Sequence, residues 1–218
     1  MGQKVNPTGF RVSHFKPWKS RWFDDTDNFK EYLVEDIKIR RMLMDRLAHA
    51  GIVSVDIERL AKSIVINLTV SRPGVVIGRG GSGIEETKKE VVDLITKIRG
   101  KKPVDIKIDM PVHEVKDPET SAQLVASRIA QDMERRMRHR VVVSKAMDRV
   151  MNAGAKGIKV VVSGRIGGSE IARVEKFKKG SVPAQTMRAN IDYASLPANL
   201  KRGKVGIKVY IHKKDDED

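Results

Sequence analysis

Six residues, Gly78 Arg79 Gly80 Gly81 Ser82 Gly83, constrain this chain more than any other stretch. Four glycines in six positions let the backbone take dihedrals closed to other residues, and they leave no side chains to hold phosphates away from the amides. An apolar run precedes the turn and an amphipathic helix follows it, so the loop is suited to cradling an anion. Two loops of this kind do not fit. A P-loop ends in Gly-Lys-Ser/Thr, whereas Ser82, Gly83 and Ile84 follow Gly81 here. A dinucleotide fingerprint is matched literally by Gly78, Gly80 and Gly83, with Asp105 downstream, but it needs a buried strand running into its first glycine. The nearest strand, on Ile64, Ile66, Leu68 and Val70, alternates like a half-exposed one and is broken off by Pro73.

The GxxG apex Gly78, Arg79, Gly80, Gly81 suits a third loop, in which a basic residue and a helix N-terminus clamp about four nucleotides of backbone. Its flanks agree. Asp27 or Asn28 is expected to cap a helix with Leu33, Ile37, Met44, Leu47 and Ala48 on one face, ended by Gly51. Strands are expected on Val53, Val55 and Ile57 and on Ile64 to Val70, with Ala61, Lys62 and Ser63 at their turn. After the loop, Ile84, Val91, Ile95 and Ile98 mark a helix closed by Gly100, and Val104, Ile106 and Ile108 mark a third strand.

The order helix, strand, strand, short helix, GxxG, helix, strand resembles a type II KH domain. Further blocks extend the resemblance over nearly the whole chain. Met1 Gly2 Gln3 Lys4 Val5 Asn6 Pro7, Arg72 Pro73 Gly74, Gly154 Ala155 Lys156 Gly157 Ile158 Lys159 Val160, Ser163 Gly164 Arg165, Glu170 Ile171 Ala172 Arg173 and Arg188 Ala189 Asn190 Ile191 Asp192 Tyr193 are similar, in order, to motifs of one family. It is the family of the third protein of the bacterial small ribosomal subunit. The expected fold is α+β: an N-terminal type II KH domain with a three-stranded sheet, and a C-terminal sandwich of two helices on a four-stranded sheet. The expected boundaries are a basic arm over 1–25, the KH domain over 26–110, a linker over 111–117, a C-terminal domain over 118–212 and a charged tail over 213–218.

Charge agrees with a nucleic-acid partner. Lys and Arg number 43 against 28 Asp and Glu, a net of +15. Residues 1–23 carry Lys4, Arg11, Lys16, Lys19 and Arg21 with no acid, and residues 133–149 and 156–188 carry most of the remaining excess, so the KH domain is close to neutral. Counterion release should therefore come mainly from the arm and the C-terminal half. The arm, with Pro7 and Pro17 and no helical period, is expected to be extended until RNA orders it. Trp18, Trp22 and Phe23 are expected to anchor it to its own domain.

In the C-terminal half, Asp117 should cap a helix with Pro118 at its first position and Ala122, Val125, Ile129, Met133 and Met137 inward, turning basic through Arg135, Arg136, Arg138 and Arg140. A second helix is expected over 144–153, ended by Gly154, and strands over 158–163, 170–178, 187–193 and 205–211. Gly164, Gly167 and Gly168 should form the first hairpin turn, and Lys176, Lys178, Lys179 and Gly180 the tip of the next.

The chain has no cysteine, which agrees with a reducing cytoplasm, and its apolar runs are too short for a membrane span or secretory signal. The five histidines are far apart and no carboxylate pair is recognisable, so no enzyme, metal or cofactor is expected. The resemblance implies a structural protein in the head of the small subunit, in the cytoplasm on the ribosome. Its implied partners are ribosomal RNA, messenger RNA where it enters the subunit, and neighbouring head proteins, the tenth and fourteenth of the small subunit.

The RNA-binding KH loop would be Gly78, Arg79, Gly80 and Gly81. Ribosomal RNA would meet Lys4, Arg11, Lys16, Arg72, Arg135, Arg136, Lys156, Lys159, Arg165, Arg173, Lys176, Lys178 and Arg188. The family's basic helix carries two adjacent basic residues and a third three positions after the second. Here Arg140 is followed by Val141 and Ser144 by Lys145, so Arg138, Arg140 and Lys145 become the messenger-channel candidates. The alternatives weighed are a free KH-domain RNA chaperone and, behind it, a dinucleotide enzyme.

Overall fold

The computed structural model describes residues 4–12, 16–24, 26–60, 63–99 and 107–214. It divides into two compact units, Trp18–Lys116 and Met1–Pro17 with Asp117–Asp218. The arm is thus not a separate extended piece, because its first seventeen positions belong with the C-terminal half. Within it, Pro7 opens a short helical turn, α1 (Pro7–Phe10), and the Asn6 side-chain oxygen accepts the amide of Thr8 at 2.9 Å.

The Trp18–Lys116 unit contains β1 (Ser20–Arg21), α2 (Thr26–Arg46), β2 (Ile52–Leu60), β3 (Ser63–Val70), α3 (Pro73–Ile77), α4 (Ser82–Arg99), β4 (Lys107–Asp109) and β5 (Val112–Glu114). The expected element order is present. The sheet has five strands rather than three, because β1 pairs parallel with β2, and both β4 and β5 pair parallel with β3. Part of the expected linker is therefore sheet: Val112 lies opposite Leu68, whose amide donates to the Pro111 carbonyl at 3.0 Å. Three residues are too few for a period of two to register. Ile39, Leu43, Ile57, Ile66, Leu68, Val91 and Ile95 form the buried centre. A register irregularity between Ile52 and Ser54 turns Ile52 inward in place of Val53.

Helix α2 departs most from expectation. It starts at Thr26, so neither Asp27 nor Asn28 is its cap. Leu33 and Ile37 are 41% and 50% exposed, while Glu35 and Asp36 are fully buried. The cause is two arginines from other elements. Arg59 of β2 donates to Glu35 at 2.7 Å and Asp36 at 2.6 Å, and Arg99 at the end of α4 donates to both oxygens of Glu35. Trp22 donates its indole N–H to Asp36 at 2.8 Å and packs its ring on Phe29 and Tyr32. Buried carboxylates are tolerable when paired in this way. Trp22 thus packs within its own unit and does not anchor the first seventeen residues of the arm, which belong to the other unit, and Trp18 and Phe23 are exposed.

The second unit adds α5 (Ala122–Glu134), α6 (His139–Asn152), β6 (Gly157–Gly164), β7 (Arg173–Gly180), β8 (Ile191–Leu200) and β9 (Gly203–His212). Its antiparallel sheet has the order β7-β6-β9-β8. Both helices pack with the inward residues of β6, β8 and β9, including Ile158, Val160, Val162, Ile207, Val209 and Ile211, as a two-helix sandwich requires. The details differ from expectation at several points. Residues Pro118–Thr120 form a separate 3-10 turn, and Asp117 makes no side-chain cap. The amide of Ala122 at the start of α5 is instead met by Asp192 of β8 at 2.9 Å.

Helix α5 stops at Glu134, before the arginines. The amide of Arg136 donates to the Met133 carbonyl and that of Met137 to the Asp132 carbonyl, a Schellman closure with Arg136 at φ 64° where glycine is usual. Helix α6 accordingly begins at His139, five residues earlier than expected, and Met137 is 43% exposed instead of core. Strand β8 runs on through Pro197, which an edge position permits, and does not begin until Ile191. Strand β7 begins at Arg173, and its lysines lie within the strand, not beyond it. Ala61, Lys62, Gly100, Val104, Ile106 and residues 215–218 lie outside the described residues.

Candidate nucleic-acid interface

The GxxG loop sits where α3 meets α4, with Gly78, Gly80 and Gly81 at φ 70°, 61° and 86°. Arg79 and Gly80 are exposed at its apex, and Arg72 is exposed at the start of α3. A Cβ on Gly80 would meet nothing within 4 Å, but one on Gly83 would lie 2.6 Å from the Val76 carbonyl. Gly83 is therefore a packing glycine for the approach of α3 to α4. The literal GxGxxG match follows from that approach, not from a dinucleotide site.

Not every predicted RNA contact is available. Arg11 is completely buried, its guanidinium donating to the carbonyls of Pro7, Ala184, Thr186 and Ala189. Burial holds its pKa below the ordinary value, from a starting point high enough to keep it charged. Lys16 is paired with Asp192 at 2.5 Å. Both are corrections: these two arm cations fasten the arm to its own unit, because the 184–192 stretch offers carbonyls and a carboxylate within reach.

The remaining cations of this unit gather in two places. The first is the sheet face opposite the helices. Register places Lys178, Lys159, Tyr210 and Tyr193 in one cross-strand row and Lys176, Val161, Lys208 and Ser195 in the next, with no acidic residue in either. The Tyr193 and Tyr210 rings are 4.8 Å apart, and the Lys159 ammonium lies 5.5 Å from the Tyr210 centroid. Burial, and then the charges of Lys4, Lys176 and Lys178, hold the Lys159 pKa below its ordinary value. Three like charges thus disfavour the Lys159 ammonium, which an anion on this face would relieve. Lys208 and Tyr210 were legible from the alternation of β9: inward Val205, Ile207, Val209 and Ile211 leave them outward.

The second place is one end of the sandwich, where the α5–α6, β6–β7 and β8–β9 turns surround a cavity of about 880 Å³. Arg136, Arg138, Arg140, Arg165, Lys201 and Arg202 line it together with Met133, Met137, Val141 and Leu200. Arg202 donates to the Gly168 carbonyl at 2.7 Å, and Arg140 lies 3.6 Å from Glu175. Lys201 and Arg202 carried no sequence signal, since nothing in the β8–β9 turn says it will meet the α5–α6 turn. Arg135 is exposed beside this site and Lys145 is exposed one turn further along α6. Arg173 pairs with Glu175 at 3.0 Å, Arg188 is exposed, and Lys156 is half-buried.

No three His, Cys, Asp or Glu side chains among the described residues are placed to hold a metal, and no described helix is long and apolar enough to cross a membrane.

Comparison with known proteins decides the family. A KH-domain family model matches residues 38–120, and the model described as "Ribosomal protein S3, C-terminal domain" matches residues 129–211. The chain is 47% identical to the small ribosomal subunit protein uS3 of Caldicellulosiruptor saccharolyticus, over 99% of this chain and 93% of that protein. The chain belongs to the uS3 family. Other uS3 proteins are similar to a comparable degree: that of Persephonella marina is 47% identical over 99% of this chain and 91% of its own length, and that of Clostridium novyi 45% over 98% and 93%. Proteins of the uS3 family are structural, not enzymatic, and the chain is accordingly a small-subunit protein with an RNA-binding KH domain, working on the cytoplasmic ribosome. The KH match extends past Glu114, in agreement with β5 belonging to that sheet.

Proposed function

We propose that the chain is held in the head of the small subunit by ribosomal RNA, gripped mainly by its C-terminal unit, and that it lines the region where messenger RNA enters. The observation that carries this reading is the acid-free sheet face that carries Lys159, Lys176, Lys178 and Lys208 in adjacent cross-strand rows, where burial and then the charges of Lys4, Lys176 and Lys178 lower the proton affinity of Lys159. A polyphosphate backbone is the partner that best neutralises such a row. The exposed Arg138, Arg140 and Lys145 contact messenger phosphates, while the Gly78–Gly81 loop touches RNA transiently. Neighbouring head proteins, the tenth and fourteenth of the subunit by resemblance, complete the surroundings.

Two experiments test the division of labour. Replacing Arg138, Arg140 and Lys145 with alanine should slow translation through a stable messenger hairpin; unchanged speed removes the messenger contact. Arg79→Asp with Gly80→Asp should weaken single-strand binding and spare subunit assembly, since Gly80 faces open space and its left-handed conformation suits Asp. Loss of assembly in that variant contradicts the transient role.

A further inference from the structure

We propose that the cavity at the end of the C-terminal sandwich is a nucleotide site, with a base on its apolar floor and phosphates on its cationic rim. The proposal rests on the reading of Arg138 and Arg140 as phosphate contacts and adds the base.

Three observations converge on it. The volume, about 880 Å³, lies in the range of small-molecule sites, and the floor is apolar: Met133, Met137, Val141 and Leu200. Six cations, Arg136, Arg138, Arg140, Arg165, Lys201 and Arg202, line the same cavity, against one lining carboxylate. That carboxylate, Glu134, is already engaged with the backbone amide of Asn199 at 2.8 Å. An apolar surface beside cationic side chains fits a ligand that is planar and apolar at one end and polyanionic at the other, and a nucleotide is the common biological ligand of that form. Arginine planes can also stack on a base while their forks hold phosphate oxygens.

The third observation is backbone conformation. Arg136 is the one non-glycine with positive φ among the described residues, and it sits in the turn that carries Met137 and Arg138 to the cavity. Glycine would close α5 at lower conformational cost. An arginine in this strained conformation places a cation in the cavity lining that glycine cannot supply.

The nucleotide can come from a single strand of RNA, one base unstacked into the cavity, or from a free nucleoside polyphosphate. Fluorescence anisotropy of the full-length protein with a labelled oligouridine hexamer, and with the same hexamer carrying one abasic position, measures the base directly. The intact strand should bind about tenfold more tightly, the scale of one base packed on a side chain. Met137→Ser with Val141→Ser removes exposed parts of the floor without changing charge and should abolish the difference. Equal binding of the two hexamers by the native protein overturns the base site. If Arg138→Ala with Arg140→Ala leaves both affinities unchanged, the phosphate reading beneath it fails instead. Competition by GTP against inorganic triphosphate assigns the source: GTP displacing the hexamer at lower concentration supports a site open to free nucleotides, and GTP no better than triphosphate supports one that takes its base from a strand.

Discussion

Removing Glu35 should unfold the KH unit far more readily than its place on a helix of polar character suggests. Its carboxylate is completely buried and accepts three charged hydrogen bonds, one from Arg59 at 2.7 Å and two from Arg99 at 2.5 and 2.9 Å. Glu35→Ala leaves Arg59, itself almost buried, with Asp36 as its one carboxylate partner among the described residues beside a long bond to the Tyr32 carbonyl, and Arg99 without its two carboxylate bonds. Breaking a buried pair by removing one partner costs about 3–5 kcal/mol. The contrast is Glu58, whose pair with Arg21 is half-exposed, so that Glu58→Ala should cost about 1 kcal/mol or less. The two tryptophans, Trp18 and Trp22, both lie in this unit, so their fluorescence during urea unfolding reports it alone. With a urea slope of about 1.5 kcal/mol/M, the midpoint should fall by roughly 2–3 M for Glu35→Ala and by less than about 1 M for Glu58→Ala. Equal shifts for the two variants would refute the argument that Glu35 organises the packing of α2, β2 and α4.

Three further outcomes are expected. Arg136→Gly should stabilise the C-terminal unit by about 1 kcal/mol, read as a rise in its thermal midpoint by far-ultraviolet circular dichroism, because glycine adopts the helix-closing conformation freely. Gly83→Ala should destabilise the KH unit by about 1–3 kcal/mol in fluorescence-monitored unfolding, more than Gly80→Ala, since only the former drives a Cβ into backbone. Burial pushes the Asp192 carboxyl up, but Lys16 and the Ala122 amide outweigh it and hold the folded value below the ordinary one. Its stabilisation is then present above the unfolded value near pH 4 and is lost as pH falls through the lower folded value. Asp192→Asn should flatten that acid limb of the stability curve.

The sequence was most legible where one chemistry decided one position. The alternation of β3 and β9 predicted their inward residues, and the glycine turn predicted the joint between α3 and α4. It was least legible where the deciding partner came from elsewhere in the chain. Hydrophobic periodicity put Leu33 and Ile37 inward because it cannot see that Arg59 and Arg99 will bury Glu35 and Asp36 instead. It carried α5 through the arginines because nothing local marks Arg136 as a left-handed residue. The basic windows located the interface broadly, yet charge alone could not separate Arg11, spent on four carbonyls inside its own unit, from the half-buried Lys159 on the open sheet face. Lys201 and Arg202 joined the rim only through the pairing of β8 with β9.

Anchorage on the small subunit through the cations of the C-terminal unit, as proposed, makes the attachment of this chain salt-dependent. Sedimentation of a lysate through a magnesium-containing sucrose gradient, with each fraction probed for the protein, tests it most directly when the native chain is compared with a Lys159→Gln, Lys176→Gln, Lys178→Gln variant. The native chain should travel with small subunits and whole ribosomes and leave them only at high salt, and the variant should leave at distinctly lower salt. A native chain that stays at the top of the gradient, or a variant released at the same salt as the native chain, would contradict the account.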